Sequence, residues 1–319
     1  MSKKTWTILR FAIAIAIIIF LFTKISVQDV VGSIISAKLY YVILAIIISI
    51  FAWIVASYRL KFFSALQGLI ISTFQAFEIN LSTLFYGLFL PGGNLTGGII
   101  KFYKLSSKDK KLSEAFITLA IERVFATLAL CIIGLFFWAL STPKDLNLLV
   151  LSMVIILFGL GSFCSLIFID RDQRVIKWLL GLANKVYVLP KLNRFVENLS
   201  GLGRIPSGSL IFMIAISMAS QLLNVLVFFL LLESIDLDVP FVSIGWIRSV
   251  VVLVTMIPIS ISGMGLREGS FIILLGVYGI SEDSAFAYSI IVFAVTRVLP
   301  GLLGGLLEAR THITKVQSQ

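Results

Sequence analysis

The chain has 319 residues, of which 59% are hydrophobic and only 13% are charged, and its formal net charge is +10. Several apolar runs reach the ~18–20 residues that cross a bilayer as a helix, so the composition excludes an ordinary soluble protein. The runs lack the alternation of barrel strands. We therefore predict an all-α polytopic membrane protein whose residues 1–319 form a single transmembrane domain without a soluble catalytic domain.

The predicted elements are about six full spans and two segments that are interrupted in the middle. The full spans are predicted at residues 6–23, 39–57, 112–140, 146–169, 209–232 and 284–307. The first is expected to be retained because no small-residue cleavage site follows it. The interrupted segments cover residues 69–100 and 241–280. Residues 170–208 are expected to form either an amphipathic helix on the inner leaflet or a plain basic loop.

The distribution of Lys and Arg predicts the orientation of these elements. Basic residues are concentrated at the N-terminus, near Arg59, around residues 101–111, in residues 170–208 and in the tail, whereas the opposite side is acidic. The positive-inside rule makes the basic stretches and both termini cytoplasmic, and it excludes nucleic acid as the reason for the charge. Both ends of 69–100 are then cytoplasmic, so this segment is expected to enter and turn back. Both ends of 241–280 are external, so this segment is expected to form either a hairpin that enters from outside or two short full spans. Two broken hairpins that enter from opposite faces predict an inverted repeat.

The interruptions themselves are rich in glycine and polar residues. The first turns at "FLPGGNLTGG" and the second at "IPISISGMGLREG". Non-helical backbone survives at membrane depth only where it is buried in protein or lines a polar cavity. Exposed N–H groups and half-helix N-termini at such turns can hold an anion such as a lipid phosphate. The alternative is that these glycines, like "GLLGG" at 301–305, only allow tight turns and close helix packing.

Several charged residues lie inside apolar segments, where they need partners. Arg267 and Glu268 follow the second turn and either bind an anionic headgroup or pair with each other. Glu122 and Arg123 are neighbours whose side chains point about 100° apart on a helix, so each is expected to pair with another helix. The candidate partners are Arg297 and Glu78.

The remaining polar residues in the spans carry more modest predictions. For Arg248 an alternative to pairing with another helix is to snorkel outward. Structural hydrogen bonds between helices are expected for Asn80, Asn94, Gln221 and Asn224. The single histidine, His312, is in the polar tail, so no metal site is predicted. "GGNLTGGIIK" lacks the Gly-Lys-Ser/Thr of an ATP-binding loop, and no cofactor is predicted.

Four motifs in fixed order resemble a known membrane family. They are "LFLPGGNLTGGIIKFYKLS", "AIERVFATLAL", "IPISISGMGLREGSFIILL" and "TRVLPGLLGGLLE". Together they resemble the flippase-like transmembrane domain of lysylphosphatidylglycerol synthases, which also occurs as stand-alone bacterial and archaeal proteins. The resemblance covers roughly residues 8–310. The aminoacyl-transferring domain of the full-length synthases is absent from this sequence.

The resemblance implies a carrier that moves a phospholipid or a polyprenyl-linked lipid between the leaflets of a bacterial or archaeal cell membrane. We expect no enzymatic activity. The alternatives are an enzyme that modifies lipid headgroups within the bilayer and a non-catalytic subunit of a lipid or glycolipid modification system. The expected partners are membrane lipids with an anionic or zwitterionic headgroup, with a second copy of the chain or a lipid-modifying enzyme as further candidates. The predicted substrate-binding residues are Gly92, Gly93, Asn94, Glu122, Arg123, Gly263, Gly265, Arg267, Glu268 and Arg297.

Overall fold

The computed structural model describes residues 27–90, 93–107, 111–141, 147–168, 206–257 and 263–317, and within these ranges every regular element is a helix. The predicted first span at 6–23, nearly all of the 170–208 segment, Gly92 and the centre of the second interruption lie outside the described residues. In chain order the helices are α1 (Val27–Ile35), α2 (Leu39–Leu66), α3 (Thr73–Phe89), α4 (Asn94–Ser106), α5 (Leu112–Leu140), α6 (Asn147–Phe168), α7 (Ser207–Glu233), α8 (Phe241–Met256), α9 (Leu266–Gly276), α10 (Glu282–Phe293) and α11 (Leu299–Gln317). A π-helical turn, Ala294–Val298, joins α10 to α11.

Four helical stretches in the described residues are long and apolar enough to cross a membrane: Leu39–Leu66, Leu112–Leu140, Gly208–Glu233 and Glu282–Arg310. They coincide with four of the predicted spans, and α6 occupies the position of a fifth. Apolar composition along nearly the whole length of each stretch accounts for this agreement, because a run of that length has few alternatives to a buried helix. The protein is thus a helical membrane protein.

Both interrupted segments form a helix, a break and a second helix. The first consists of α3 and α4 and the second of α8 and α9, and within each pair the two helices pack against each other. The second helix of each pair begins after a glycine with positive φ, namely Gly93 at 59° and Gly265 at 81°. That backbone conformation is strained for residues with a Cβ, which explains why the chain turns at these glycines.

The helices form one packed body in which α7 lies against α2 and α5, and α8 lies against α5 and α9. The largest group of buried side chains is around α7, α8, α9 and α10, where Trp246, Phe271 and Tyr288 are fully covered. A second group joins α2 to α5 through Phe63 and Ile117. The two broken pairs are thereby held on a shared scaffold of long helices.

Close packing explains the glycines of α11. A Cβ on Gly304 would come 2.2 Å from the backbone oxygen of Leu81 in α3, and one on Gly305 would come 2.7 Å from the ring of Phe85. These contacts confirm that "GLLGG" serves helix packing. A polar cluster reinforces the same junction, because Glu308 of α11 accepts from Ser82 of α3 at 2.9 Å and pairs with Lys104 of α4.

Loops that are predicted to lie on the same side of the membrane contact each other. Lys38 pairs with Asp236, and its backbone N–H donates to the Ser234 oxygen at 2.7 Å. The hydrogen bond to Asp236 raises the pKa of the Lys38 side chain above its usual value. The Lys111 ammonium donates to the Gly68 oxygen at 3.0 Å. Two loops predicted to be external therefore lie together, and so do two predicted to be cytoplasmic.

The outer surface is apolar. On α2 an exposed stripe follows helical spacing through Ile43, Ile47, Ile50 and Ile54. Large exposed apolar side chains also occur on α5, α6 and α7, including Phe136, Phe158 and Ile211. Such extensive apolar exposure is typical of helices that contact lipid.

Candidate functional site

Glu122 is the centre of a buried ion cluster that joins three helices. Its two carboxylate oxygens accept from Arg59 of α2 at 3.3 Å and from Lys101 of α4 at 2.7 Å. All three side chains are at least 85% buried. A buried carboxylate is stable only when its oxygens are paired, and here both oxygens have a cationic donor. The cluster fixes α4, the second helix of the first broken pair, against α5.

A second ion pair closes the N-terminus of α9. Glu268 accepts from the Gly265 N–H at 2.6 Å and also pairs with the neighbouring Arg267. The Nε of Arg267 donates to Ser289 of α10 at 3.1 Å, and its guanidinium lies 4.1 Å from the centre of the Phe293 ring. A carboxylate at this position satisfies orphan N–H groups and complements the helix dipole. The tip of the second broken pair is therefore fixed to α10.

Arg248 of α8 is buried in the centre of the protein. It donates to the side-chain oxygen of Gln221 at 2.9 Å, and Gln221 in turn donates to the Ala126 oxygen of α5. Its guanidinium lies 5.3 Å from the centre of the Phe228 ring. The Nε and Nη1 atoms of Arg248 are buried and have no hydrogen-bond partner among the described residues. Unpaired donors on a buried cation are costly, so this guanidinium is equipped to bind a further acceptor.

Arg297 is in the π-helical turn, near the middle of the long span Glu282–Arg310. Pro300 has no N–H, so it removes a hydrogen bond from this turn and favours a local irregularity. Despite its depth along the helix, the side chain of Arg297 is exposed. π-Helical turns inside α-helices often mark functional sites because they redirect a side chain.

Arg123 occupies a comparable position on α5, ~17 Å from the start of a helix that is long enough to cross a membrane. Its side chain is also exposed. The charges of Arg123 and Arg267 both act on Arg297, and the charge of Arg297 acts on Arg248. We call these four residues the arginine cluster. It combines two residues with exposed surface, Arg123 and Arg297, with two that are largely covered, and it draws on α5, α8, α9 and the π-helical turn.

Residues 7–304 match the family described as "Lysylphosphatidylglycerol synthase TM region". The chain belongs to this family. It is also similar to the UPF0104 membrane protein MJ1595 of Methanocaldococcus jannaschii, with 23% identity over 316 residues that cover 95% of this chain and 94% of that protein. The resemblance found in the four motifs is thus confirmed over almost the whole chain.

The arginine cluster brings together several residues that the family motifs predicted as a site. Arg123, Arg267 and Arg297 interact electrostatically, and Glu268 joins them through its pair with Arg267. Glu122 is adjacent to Arg123, and its charge acts on that arginine. All five residues come from the last three motifs: Glu122 and Arg123 are neighbours on α5, Arg267 and Glu268 are neighbours on α9, and Arg297 is in the π-helical turn. The structure thus places most of the charged motif residues within electrostatic range of one another.

The glycines and the asparagine of the two turns are arranged differently. Gly93 is buried and Asn94 is exposed, while Gly263 is held at a φ of 79° beside the side chain of Thr255. In the described parts of the chain no hydrogen bond or ion pair joins Gly93 or Asn94 to the second turn. Any role of these turn residues in binding stays a prediction.

Two predictions about charged partners were wrong. Glu122 pairs with Arg59 and Lys101 rather than with Arg297, and Glu78 is not part of either ion cluster. Arg248 does not snorkel outward, since it is buried and bonded to Gln221. In both cases the deciding factor is the lateral packing of helices, which places a nominally terminal cation opposite an internal acid and encloses α8.

Polar links between helices are confirmed for two of the four predicted residues. Asn80 donates to Ser57 of α2 at 3.1 Å, and Gln221 connects α5, α7 and α8. Asn224 instead donates to Ser220 in its own helix. Among the residues that the structure describes, no group of three or more His, Cys, Asp or Glu side chains is placed to hold a metal ion.

Proposed function

We propose that the protein is a lipid carrier that binds the phosphate of a lipid headgroup at the arginine cluster and moves the lipid between leaflets. The observation that carries this proposal is the exposure of Arg123 and Arg297 near the middle of two long apolar helices. Within the described residues, neither makes an ion pair with a carboxylate. An arginine that faced hydrocarbon at this depth would be energetically very unfavourable. We therefore infer that both arginines face an opening in the protein that admits an anion.

Arginine suits this role for chemical reasons. Its guanidinium is always charged and presents planar N–H donors that match phosphate oxygens. In a lipid carrier the headgroup needs a polar path while the acyl chains remain in the bilayer. The exposed apolar stripe on α2 and the exposed phenylalanines of α5 and α6 supply a surface along which acyl chains can stay in contact with lipid.

The proposal includes an inverted repeat in a cell membrane with cytoplasmic termini. Each broken pair, α3 with α4 and α8 with α9, is followed by a long helical stretch that contains an arginine of the cluster. At ~1.5 Å per residue, α4 and α9 are about 20 and 17 Å long, enough to reach the centre of a bilayer from either face. The contacts of Lys38 with Asp236 and of Lys111 with Gly68 support the assignment of their loops to two opposite faces.

We assign the two carboxylates of the site to structure rather than to chemistry. Glu122 is bound by two cations, and Glu268 by Arg267 and the Gly265 N–H. General base catalysis needs a group free to accept a proton, whereas these carboxylate oxygens are engaged by cations and a backbone N–H. The proposed reaction is therefore transport without covalent change of the lipid.

The proposal is tested in liposomes that contain the purified protein and a fluorescent phospholipid. The fraction of label accessible to a membrane-impermeant quencher is followed with time. We expect wild type to move the label well above the rate of protein-free vesicles, and Arg123→Gln and Arg297→Gln to reduce the rate at least about tenfold, since each loses a direct headgroup contact. Arg310→Gln, an exposed arginine at the end of Glu282–Arg310, is the matched control and should retain the wild-type rate.

The same vesicles distinguish the rival functions. Wild-type protein that moves no phospholipid faster than empty vesicles, or arginine variants as fast as wild type, would refute the carrier. Mass spectrometry of the lipids after incubation tests the enzyme alternative, because a covalently changed headgroup appears as a new mass. Co-purification of a stable partner that restores transport would instead indicate a subunit of a larger system.

A further inference from the structure

The arginine cluster holds more positive charge than its carboxylates can neutralise. Glu268 pairs with Arg267. Glu122 is next to Arg123, but both of its oxygens bind Arg59 and Lys101, so one acid already serves two cations. Among the described residues, Arg123, Arg248 and Arg297 therefore have no carboxylate within ion-pair distance. A membrane interior with three such cations is unfavourable unless an anion joins them.

Arg248 adds a second, independent observation. It is 5% exposed, and its Nε and Nη1 atoms lack any hydrogen-bond partner in the described residues. Within the described part of the chain its side chain donates one hydrogen bond, to the neutral amide of Gln221. The Tyr288 hydroxyl donates to the Phe228 backbone, and the Phe228 ring stacks with Arg248, which ties this guanidinium to the helix that leads to Arg297. A buried, partly unsatisfied cation is therefore linked through Phe228 and Tyr288 to the helix that continues to Arg297.

We infer that the ligand of the arginine cluster is a lipid phosphate with at least two negative charges, a phosphomonoester or a pyrophosphate. This inference rests on the proposed function and names its substrate class. A phosphodiester carries one charge and would leave two of the three cations uncompensated. A phosphomonoester approaches two charges at neutral pH and offers three acceptor oxygens. A headgroup with an added ammonium, as in an aminoacyl lipid, would meet repulsion from the same arginines.

The expected preference is large enough to measure. At an effective dielectric constant of about 20, one additional charge several ångströms from a guanidinium changes affinity by roughly tenfold or more. Solvent screening at the exposed arginines reduces the contribution of Arg123 and Arg297 but not that of the buried Arg248. We therefore expect a phosphomonoester lipid to bind at least about tenfold more tightly than a phosphodiester lipid.

Binding is measured with full-length protein in phosphatidylcholine nanodiscs at pH 8. The probes are phosphatidic acid, phosphatidylglycerol and lysyl-phosphatidylglycerol with identical acyl chains, each competing with fluorescent phosphatidic acid. The expected order is phosphatidic acid tightest and the lysyl lipid weakest. Equal affinities for phosphatidic acid and phosphatidylglycerol, or tightest binding of the lysyl lipid, would overturn the inference.

Substitutions of Arg248 and Arg297 test whether these arginines cause the preference for phosphatidic acid over phosphatidylglycerol. Arg248→Gln should reduce the ratio of the two affinities to about two or less, while Arg248→Lys should keep most of it because the charge remains. Arg297→Gln gives a second reading from an exposed position if the buried variant does not fold. Arg310→Gln is the control and should leave the ratio unchanged. A ratio that stays at the wild-type value in both Arg248→Gln and Arg297→Gln would contradict the assignment.

Two further experiments test whether the ligand is a lipid or a soluble phosphate, and whether the preference in binding is also a preference in transport. Inorganic pyrophosphate at millimolar concentration should displace phosphatidic acid only weakly. Strong displacement would mean that a soluble anion is the ligand and would overturn the lipid source. In the transport assay, phosphatidylglycerol carried as fast as phosphatidic acid would sustain the carrier and refute the charge preference. Selective binding of phosphatidic acid without any transport would support the charge preference and refute the carrier.

Discussion

Lys101 donates to Glu122 at 2.7 Å and thereby joins the second helix of the first broken pair to the next long helix. Arg59 donates to the other oxygen of the same carboxylate from α2. Three helices that are separate in the chain thus share one acid. The arrangement also fixes the part of α5 that carries Arg123, the next residue along the helix.

Replacement of this acid tests its structural role. Glu122→Gln should lower the free energy of unfolding by about 3 kcal/mol, because two buried cations lose their only shared anion. The measurement is the thermal unfolding midpoint of the protein in detergent. Glu282→Gln, at an exposed position in the first turn of α10, is the control and should unfold close to wild type. A Glu122→Gln variant as stable as the control would show that the cluster contributes little.

Two adjacent glycines of α4 offer a test of the first broken pair. A Cβ on Gly97 would lie 2.5 Å from the Thr83 oxygen of α3, whereas one on Gly98 would meet nothing within 4 Å. Gly97→Ala should therefore force α3 and α4 apart and destabilise the protein by about 1–3 kcal/mol. Gly98→Ala should be neutral or stabilising by up to ~1 kcal/mol, since alanine favours the helix. The thermal unfolding midpoints of the two variants test this prediction. An equal loss of stability in both variants would contradict the close packing of α3 against α4 at Gly97.

The sequence predicted the helices well and their contacts poorly. Leu112–Leu140 and the two interruptions were predictable because hydrophobic length and glycine-rich breaks are local signals. The partners of Glu122 were not, because Arg59 and Lys101 were counted only as markers of the cytoplasmic face. Which acid a cation meets depends on how far each helix is shifted along its neighbour, and a single sequence carries no direct signal of that shift.

The irregular turn around Arg297 had a signal that was not used. Pro300 follows within three residues, and the Thr296 hydroxyl donates back to the Val292 oxygen at 2.6 Å, a contact that also perturbs helices. Proline and threonine in one helical turn therefore indicated a distortion, although not its π-helical form. The burial of Arg248 had no comparable signal, since α8 is apolar on every face and only its neighbours decide where the arginine lies.

The cap on α9 leads to a prediction about local stability. Glu268→Gln removes the carboxylate that accepts from the Gly265 N–H and pairs with Arg267. The N-terminus of α9 should then open more often, because it loses a charged cap. Hydrogen exchange should become faster at the amides of Leu266–Gly276 and stay unchanged in Asn94–Ser106, which serves as the internal control. Unchanged exchange in α9 would show that the cap does not limit its opening.

The loops that contact each other predict which positions share a face of the membrane. Lys38→Cys and Asp236→Cys should react with a membrane-impermeant maleimide in intact cells, because their loop contact places both on the predicted external side. Lys111→Cys, which lies beside Gly68, should react only after the membrane is permeabilised. The two native cysteines, Cys131 and Cys164, are replaced by alanine in every labelling variant so that they contribute no background. Labelling of Lys38→Cys and Lys111→Cys from the same side would be incompatible with the proposed topology. The inverted repeat requires that the two broken pairs enter the membrane from opposite faces. Lys38 directly precedes α2, and both ends of the first broken pair lie near Lys111. Labelling of both positions from one side would therefore also contradict the inverted repeat.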